Sequence, residues 1–164
     1  MQENIALVQN GFRILLPDMA GYICRELSRV YKNGWWQEVL TALSDQYDLP
    51  SSGEYAELQD SLDVANCLRL IDRRWNDVFR SKLSKDYRTW ATELMGVRNK
   101  VAHLGMQDIA QADAERALDT MARLCDGFDS DGAEEIRALY RKLRYGSEDA
   151  STSSAPAKET TPTG

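Results

Sequence analysis

Large apolar side chains recur every three to four positions along most of this chain, and in no segment do they alternate. That spacing lines them up along one stripe of an α-helix, whereas a half-buried strand needs a period of two. Ile5, Val8, Phe12 and Leu15 form the first stripe, and Met19, Tyr22, Ile23, Leu27, Val30 and Tyr31 the next. Trp36, Val39, Leu40, Leu43 and Tyr47 make a third. A long helix is predicted from Leu62 to Leu83, with Val64, Leu68, Ile71, Trp75, Val78 and Phe79 on one side. Ser84 to Leu104 is the next helix, and Ala110, Ala114, Ala117, Leu118, Met121, Leu124 and Cys125 define another. The last opens at Asp131, with Glu134 three residues on in a capping-box-like pairing, and carries Ile136, Leu139, Tyr140 and Leu143. The fold class that follows is all-α, a helical bundle of about 5–7 helices.

The breaks between stripes carry their own chemistry. Pro17 lacks an amide hydrogen and is expected to break or restart the first helix. Asn33-Gly34 reads as a stop, and Leu49-Pro50-Ser51-Ser52-Gly53 as a loop. Ser84 is a good N-cap, and Gly105 a good terminator, for the helix between them. From Gly146 to Gly164, 15 of the residues are Ser, Thr, Ala, Pro or Gly, and none has a large apolar side chain. Such a segment buries too little surface to offset the entropy of ordering it. The expected organisation is a helical domain over 1–145 and a disordered tail or linker over 146–164.

The net charge of −6 is unevenly spread. Residues 1–60 carry 4 basic and 9 acidic side chains, residues 61–105 carry 9 and 5, and residues 106–164 carry 7 and 12. The middle is therefore a basic island in an acidic protein, and the distribution matters more to a polyanion than the total. Cys24, Cys67 and Cys125 sit far apart in apolar patterns, which reads as buried, reduced thiols. With one histidine and no CxxC pair, no metal site is expected. No run of about 20 apolar residues offers a membrane span, and no basic start leads into an apolar block. The default expectation is a cytoplasmic protein without membrane contact.

One short segment concentrates chemistry: Arg98-Asn99-Lys100-Val101-Ala102-His103. His103 is the lone histidine, and imidazole is the side chain best suited to proton transfer near neutral pH. A histidine in a last helical turn also bonds the terminal carbonyls, so position alone decides little. Projected at about 100° per residue, Tyr87, Ala91, Leu94 and Val101 share a face and Arg98 falls within it. An arginine on an apolar stripe needs a paired charge, a route to solvent or an interface. Asn99 and His103, four apart, are neighbours on an adjacent face.

Arg98-Asn99-x-x-x-His103, late in an all-α chain, resembles the Arg-x4–6-His motif of HEPN domains. Within that superfamily the chain is similar to the HEPN domain of a yeast nuclear RNA-surveillance endonuclease. The matching residues are the Phe12 to Tyr31 region, Gly34-Trp35-Trp36, and Leu62-Asp63-Val64 leading to Trp75-Asn76-Asp77-Val78-Phe79, within residues 5–128. The resemblance implies a helical bundle that forms a homodimer, and in many members a metal-independent endoribonuclease whose Arg and His come from two protomers. Other members have lost catalysis and serve as binding or assembly modules. In prokaryotes, members of this subgroup resemble N-terminal parts of large ATPases in anti-phage defence, and a Ser/Thr/Pro tail suits a linker to such a partner.

The chemistry fits the resemblance. Metal-free cleavage of RNA deprotonates a ribose 2′-OH and protonates the departing 5′ oxygen, two steps that can use two proton-transferring groups. One chain has one histidine; two copies facing each other have two. Arg98 is expected to hold the phosphate, Asn99 to orient His103 or bond a phosphate oxygen, and Lys100, Arg73 and Arg74 to attract the RNA backbone. Asp72-Arg73-Arg74 and Lys82, Lys85 and Arg88 can line an RNA groove, but charges of this kind more often form a solvated helix face. Nucleotide binding by Arg98 and Lys100 is a third possibility, though no glycine-rich phosphate loop accompanies them and no cofactor is expected. Trp35 and Trp36 can stack bases, but at helical spacing with Val39 they fit core packing better.

Overall fold

A computed structural model describes residues 2–46, 48–128 and 131–153, with side chains up to residue 146. Among the described residues the chain forms seven α-helices, two short 3-10 turns and no strand. The helices are α1 (Glu3–Tyr31), α2 (Trp35–Ala42), α3 (Tyr55–Asp60), α4 (Val64–Arg73), α5 (Lys85–His103), α6 (Gln111–Asp126) and α7 (Gly132–Ser153). The all-α bundle read from periodicity is the fold observed.

Helix α1 is the spine. It packs against α2, α3, α4, α6 and α7, and its stripe from Ile5 to Leu27 lies inside the core. Gly11 lets α6 come close: a Cβ there would lie 2.7 Å from Leu118 Cδ2 and 2.8 Å from Met121 Sδ. Pro17 does not break this helix, contrary to expectation, but lies inside it. Pro17 is exposed, and so is Arg13, whose carbonyl loses its amide partner. Water can satisfy that carbonyl, while Leu15, Met19 and Ile23 hold the opposite face in the core.

The long helix expected over Leu62–Leu83 is in fact short. Asp63 caps α4 by accepting the Asn66 backbone N–H at 2.7 Å, and Asn66 Oδ1 accepts from the Asp63 N–H at 2.9 Å. After Arg73 the chain leaves the helix and closes a 3-10 turn at Phe79–Ser81. Periodicity misses this because the turn buries its apolar residues as a helix would: Trp75, Val78 and Phe79 are all in the core. Helix α3 was not anticipated. A capping box between Glu54 and Glu57 starts it, and Leu58 is its one buried residue. The 49–53 segment is a loop, and its Pro50 carbonyl accepts from Trp36 Nε1 at 2.8 Å. Trp35 and Trp36 are buried and meet edge to face with ring centroids 5.5 Å apart, the packing role preferred for them. All three cysteines are buried, and they form no disulfide with one another. Burial pushes the Cys24 thiol up to about 12.

Helices α4, α6 and α7 pack against α1, and α5 packs against α4 and α6. Arg88 Nε pairs with Asp72 Oδ1 at 2.8 Å at one end of α4–α5, while Asp63–Ala65 face Arg98–Ala102 at the other. Arg116 grips Glu93 through two bonds of 3.0 Å, tying α6 to α5, and Thr120 donates to the same carboxylate at 3.0 Å. Helix α7 continues to Ser153, past the Tyr145 boundary read from composition. Residues 154–164 of the tail, together with Tyr47, lie outside the described residues.

Candidate functional site

Helix α5 presents the Arg98–His103 segment in its last turns. Ala91 and Leu94 are buried, and Tyr87, Trp90, Val97 and Val101 are half-buried around them, so the projected apolar face is the face that packs. Ser84 occupies the N-cap position with extended backbone but makes no side-chain capping bond. Gly105 follows the helix with φ +63°, a left-handed conformation that glycine adopts without strain, and the chain turns there.

That turn is anchored from a distance. Asp108 accepts the backbone N–H groups of Asn4 at 3.1 Å and Ile5 at 2.8 Å, and so caps the start of α1. In return the Gln2 side-chain amide donates to the carbonyls of Gly105 and Gln107, and that of Asn4 to the carbonyl of Ile109 at 2.8 Å. Desolvation works to raise the Asp108 carboxyl, but the amides of Asn4, Ile5 and Ile109 outweigh it and hold it below the usual range. The N-terminus of α1 thus fixes the loop that follows His103. Nothing in the motif itself signals this; the pairing spans some hundred residues and is visible only in the fold.

Arg98 is half-buried and borders a cleft of about 520 Å³. Gln9, Phe12 and Leu16 of α1, Asp63, Val64 and Ala65 at the start of α4, and Val101 and Ala102 of α5 form the rest of its wall. Arg73, Arg74, Arg88 and Arg116 each hold a carboxylate. Arg98 has no ion pair among the described residues; its Nη1 reaches only Asn99 Oδ1, at 3.4 Å. Of the three ways to accommodate an arginine on an apolar stripe, the paired charge is absent and an open cleft takes its place.

The other expected site residues divide into two groups. Asn99 and His103 are exposed on one strip of α5, as their spacing requires. His103 is about 140° around the helix and about 7.5 Å along it from Arg98, and it does not border the Arg98 cleft. Within one chain the two motif residues therefore diverge. Lys100 lies toward α6, where its Nζ is 3.6 Å from Asp113 Oδ2 in an exposed pair worth little. Arg73 and Arg74 are elsewhere, at the far end of the antiparallel α4–α5 pair. Arg73 donates to the Ala42 carbonyl at 2.7 Å and pairs with Asp45, while Arg74 donates to the Glu38 carbonyl at 3.0 Å and pairs with its carboxylate. Both tie the end of α4 to α2. Among the described residues no group of three or more His, Cys, Asp and Glu is placed to hold a metal ion. Nor is any described helix long and apolar enough to cross a membrane.

The all-α bundle is the fold expected of a HEPN domain. Residues 10–129 match the family described as Swt1-like HEPN, a span reaching from α1 to the end of α6, and the chain belongs to that family. No curated protein and no solved structure matches it.

Proposed function

We infer that this domain is a metal-independent endoribonuclease that works as a homodimer, with each chain contributing half of the site. The observation that carries this reading is the unpaired, half-buried Arg98 over an open cleft, beside an exposed His103 that one chain cannot bring to it. In a symmetric pair joined through the exposed strip of α5, the two motifs meet. One His103 takes the proton of the ribose 2′-OH as its oxygen bonds to phosphorus. The other gives a proton to the 5′ oxygen as the P–O5′ bond breaks, leaving a 2′,3′-cyclic phosphate and a 5′-hydroxyl. Arg98 holds the phosphate and offsets charge as it builds on the equatorial oxygens. Asn99, bonded to Arg98 and beside His103, orients the pair. Lys100 adds attraction for the backbone when it leaves Asp113. The need for a 2′-OH restricts cleavage to RNA. Arg73 and Arg74 hold α4 to α2, so any contact with RNA there is peripheral.

The test is cleavage of mixed RNA in EDTA by the protein and its Arg98→Ala and His103→Ala variants. Cleavage by the parent alone, ending in cyclic phosphates, is the expected result. Equal cleavage by all three rejects the reading.

A second reading has its own support in the net charge of −6 and in the fully exposed Met106 one turn beyond His103. Under it the domain is a non-catalytic HEPN module that dimerises or docks onto a larger ATPase. A stable dimer by light scattering with no cleavage of any RNA favours this alternative. Both readings fit a cytoplasmic role in prokaryotic anti-phage defence, the setting the family resemblance implies, and the genes beside this one are the observation that tests it.

A further inference from the structure

The cleft beside Arg98 is larger than a phosphate needs. About 520 Å³ falls within the range of sites that bury small organic ligands. Phe12, Leu16, Val64 and Val101 give it an apolar floor, and its polar groups are at the rim. Asp63 lines the same cleft as Arg98, yet the two make no ion pair among the described residues, so the cleft holds a cation and an anion that do not meet. The Asp63 carboxylate cannot swing freely. Its Oδ1 is fixed by the Asn66 N–H at 2.7 Å, and its Oδ2 takes no hydrogen bond among the described residues. A fixed carboxylate oxygen accepts and never donates.

We propose that this cleft is a nucleobase subsite that selects bases bearing an exocyclic amino group, with the base on the Phe12–Val101 floor, its amino group donating to Asp63, and its phosphate on Arg98. The proposal rests on the reading of Arg98 as a phosphate ligand. Adenine, cytosine and guanine each carry an amino donor. Uracil turns two carbonyl oxygens outward, flanking its one N–H, and those oxygens are repelled by a carboxylate. A flat ring fits a floor of aliphatic and aromatic side chains without needing a hydrogen bond of its own.

The test is titration of the full chain with AMP, CMP, GMP and UMP, followed by backbone amide NMR and repeated with Asp63→Asn and Arg98→Ala. Asparagine caps a helix as well as aspartate does, so Asp63→Asn keeps α4 while replacing the free oxygen by an amide donor. The three amino-bearing nucleotides are expected to bind about tenfold or more tighter than UMP, the gain of one hydrogen bond to a charged group. Asp63→Asn should abolish or invert that order, and Arg98→Ala should weaken all four alike. Equal binding of all four, shifts outside the cleft, or an order unchanged by Asp63→Asn each overturns the subsite. Selective binding with no RNA cleavage leaves the subsite standing and removes the ribonuclease reading. Cleavage without base preference, with no nucleotide shifts in the cleft, does the reverse.

Discussion

Arg98 and His103 were legible as residues, but their relation was not. The spacing of five gives the motif, and the helix turns the same spacing into divergent directions, so a pattern read along the chain is not a site within it. Replacing either should separate activity from folding. Arg98 makes no ion pair and His103 is exposed, so Arg98→Ala and His103→Ala should each leave thermal stability within about 0.5 kcal/mol of the parent. RNA cleavage should fall by about a hundredfold or more in both, as loss of a charge-stabilising donor or an acid–base group entails. Thermal melts beside initial rates check this. Asp108 illustrates the opposite case, a residue that no motif marks. Its carboxyl is held below the ordinary value of 3.8 in the folded chain. It therefore stabilises the fold above that pH, and the contribution is lost as pH falls through the lower folded value. Asp108→Asn should flatten the acid limb of the stability curve and lower the melting temperature at pH 7, which melts from pH 2 to 7 can follow.

At the scale of elements, the apolar stripes located most helices because each stripe is a buried face. They failed where burial and helicity part. Trp75, Val78 and Phe79 are buried from a turn, and α3 is too short to show a period with Leu58 as its single buried residue. Pro17 failed in the other direction, since a helix with a strong buried face can carry a proline on its wet side. Pro17→Ala should restore the missing hydrogen bond and stabilise the protein by about 2 kcal/mol, the interior cost of about 3 less the entropy returned to the unfolded chain. Denaturant titration reads that gain directly. Gly11→Ala should act oppositely. Its methyl meets Leu118 and Met121, both fully buried, and the resulting strain of about 1–3 kcal/mol exceeds the helix propensity gained.

For the whole molecule, composition placed the basic residues in the middle third, and the fold divides them. Arg73, Arg74 and Arg88 are spent on carboxylates and carbonyls at one end of α4–α5, and Arg98 is left uncommitted at the other. Charge counting cannot make that distinction, because it depends on which acids the fold brings alongside. The same arrangement sets the limit of one chain: Arg98 borders the cleft and His103 does not. Under the proposed reading a second copy supplies the missing half, and activity is then expected to depend on association. The measurement that bears on this most directly is the initial rate of RNA cleavage in EDTA as protein concentration is raised, beside the mass from light scattering. The rate per chain should climb as monomer gives way to dimer, level off when dimer is complete, and fall by about a hundredfold or more at all concentrations in His103→Ala. A rate per chain that is constant across a monomeric range, or that His103→Ala leaves unchanged, would contradict the shared site.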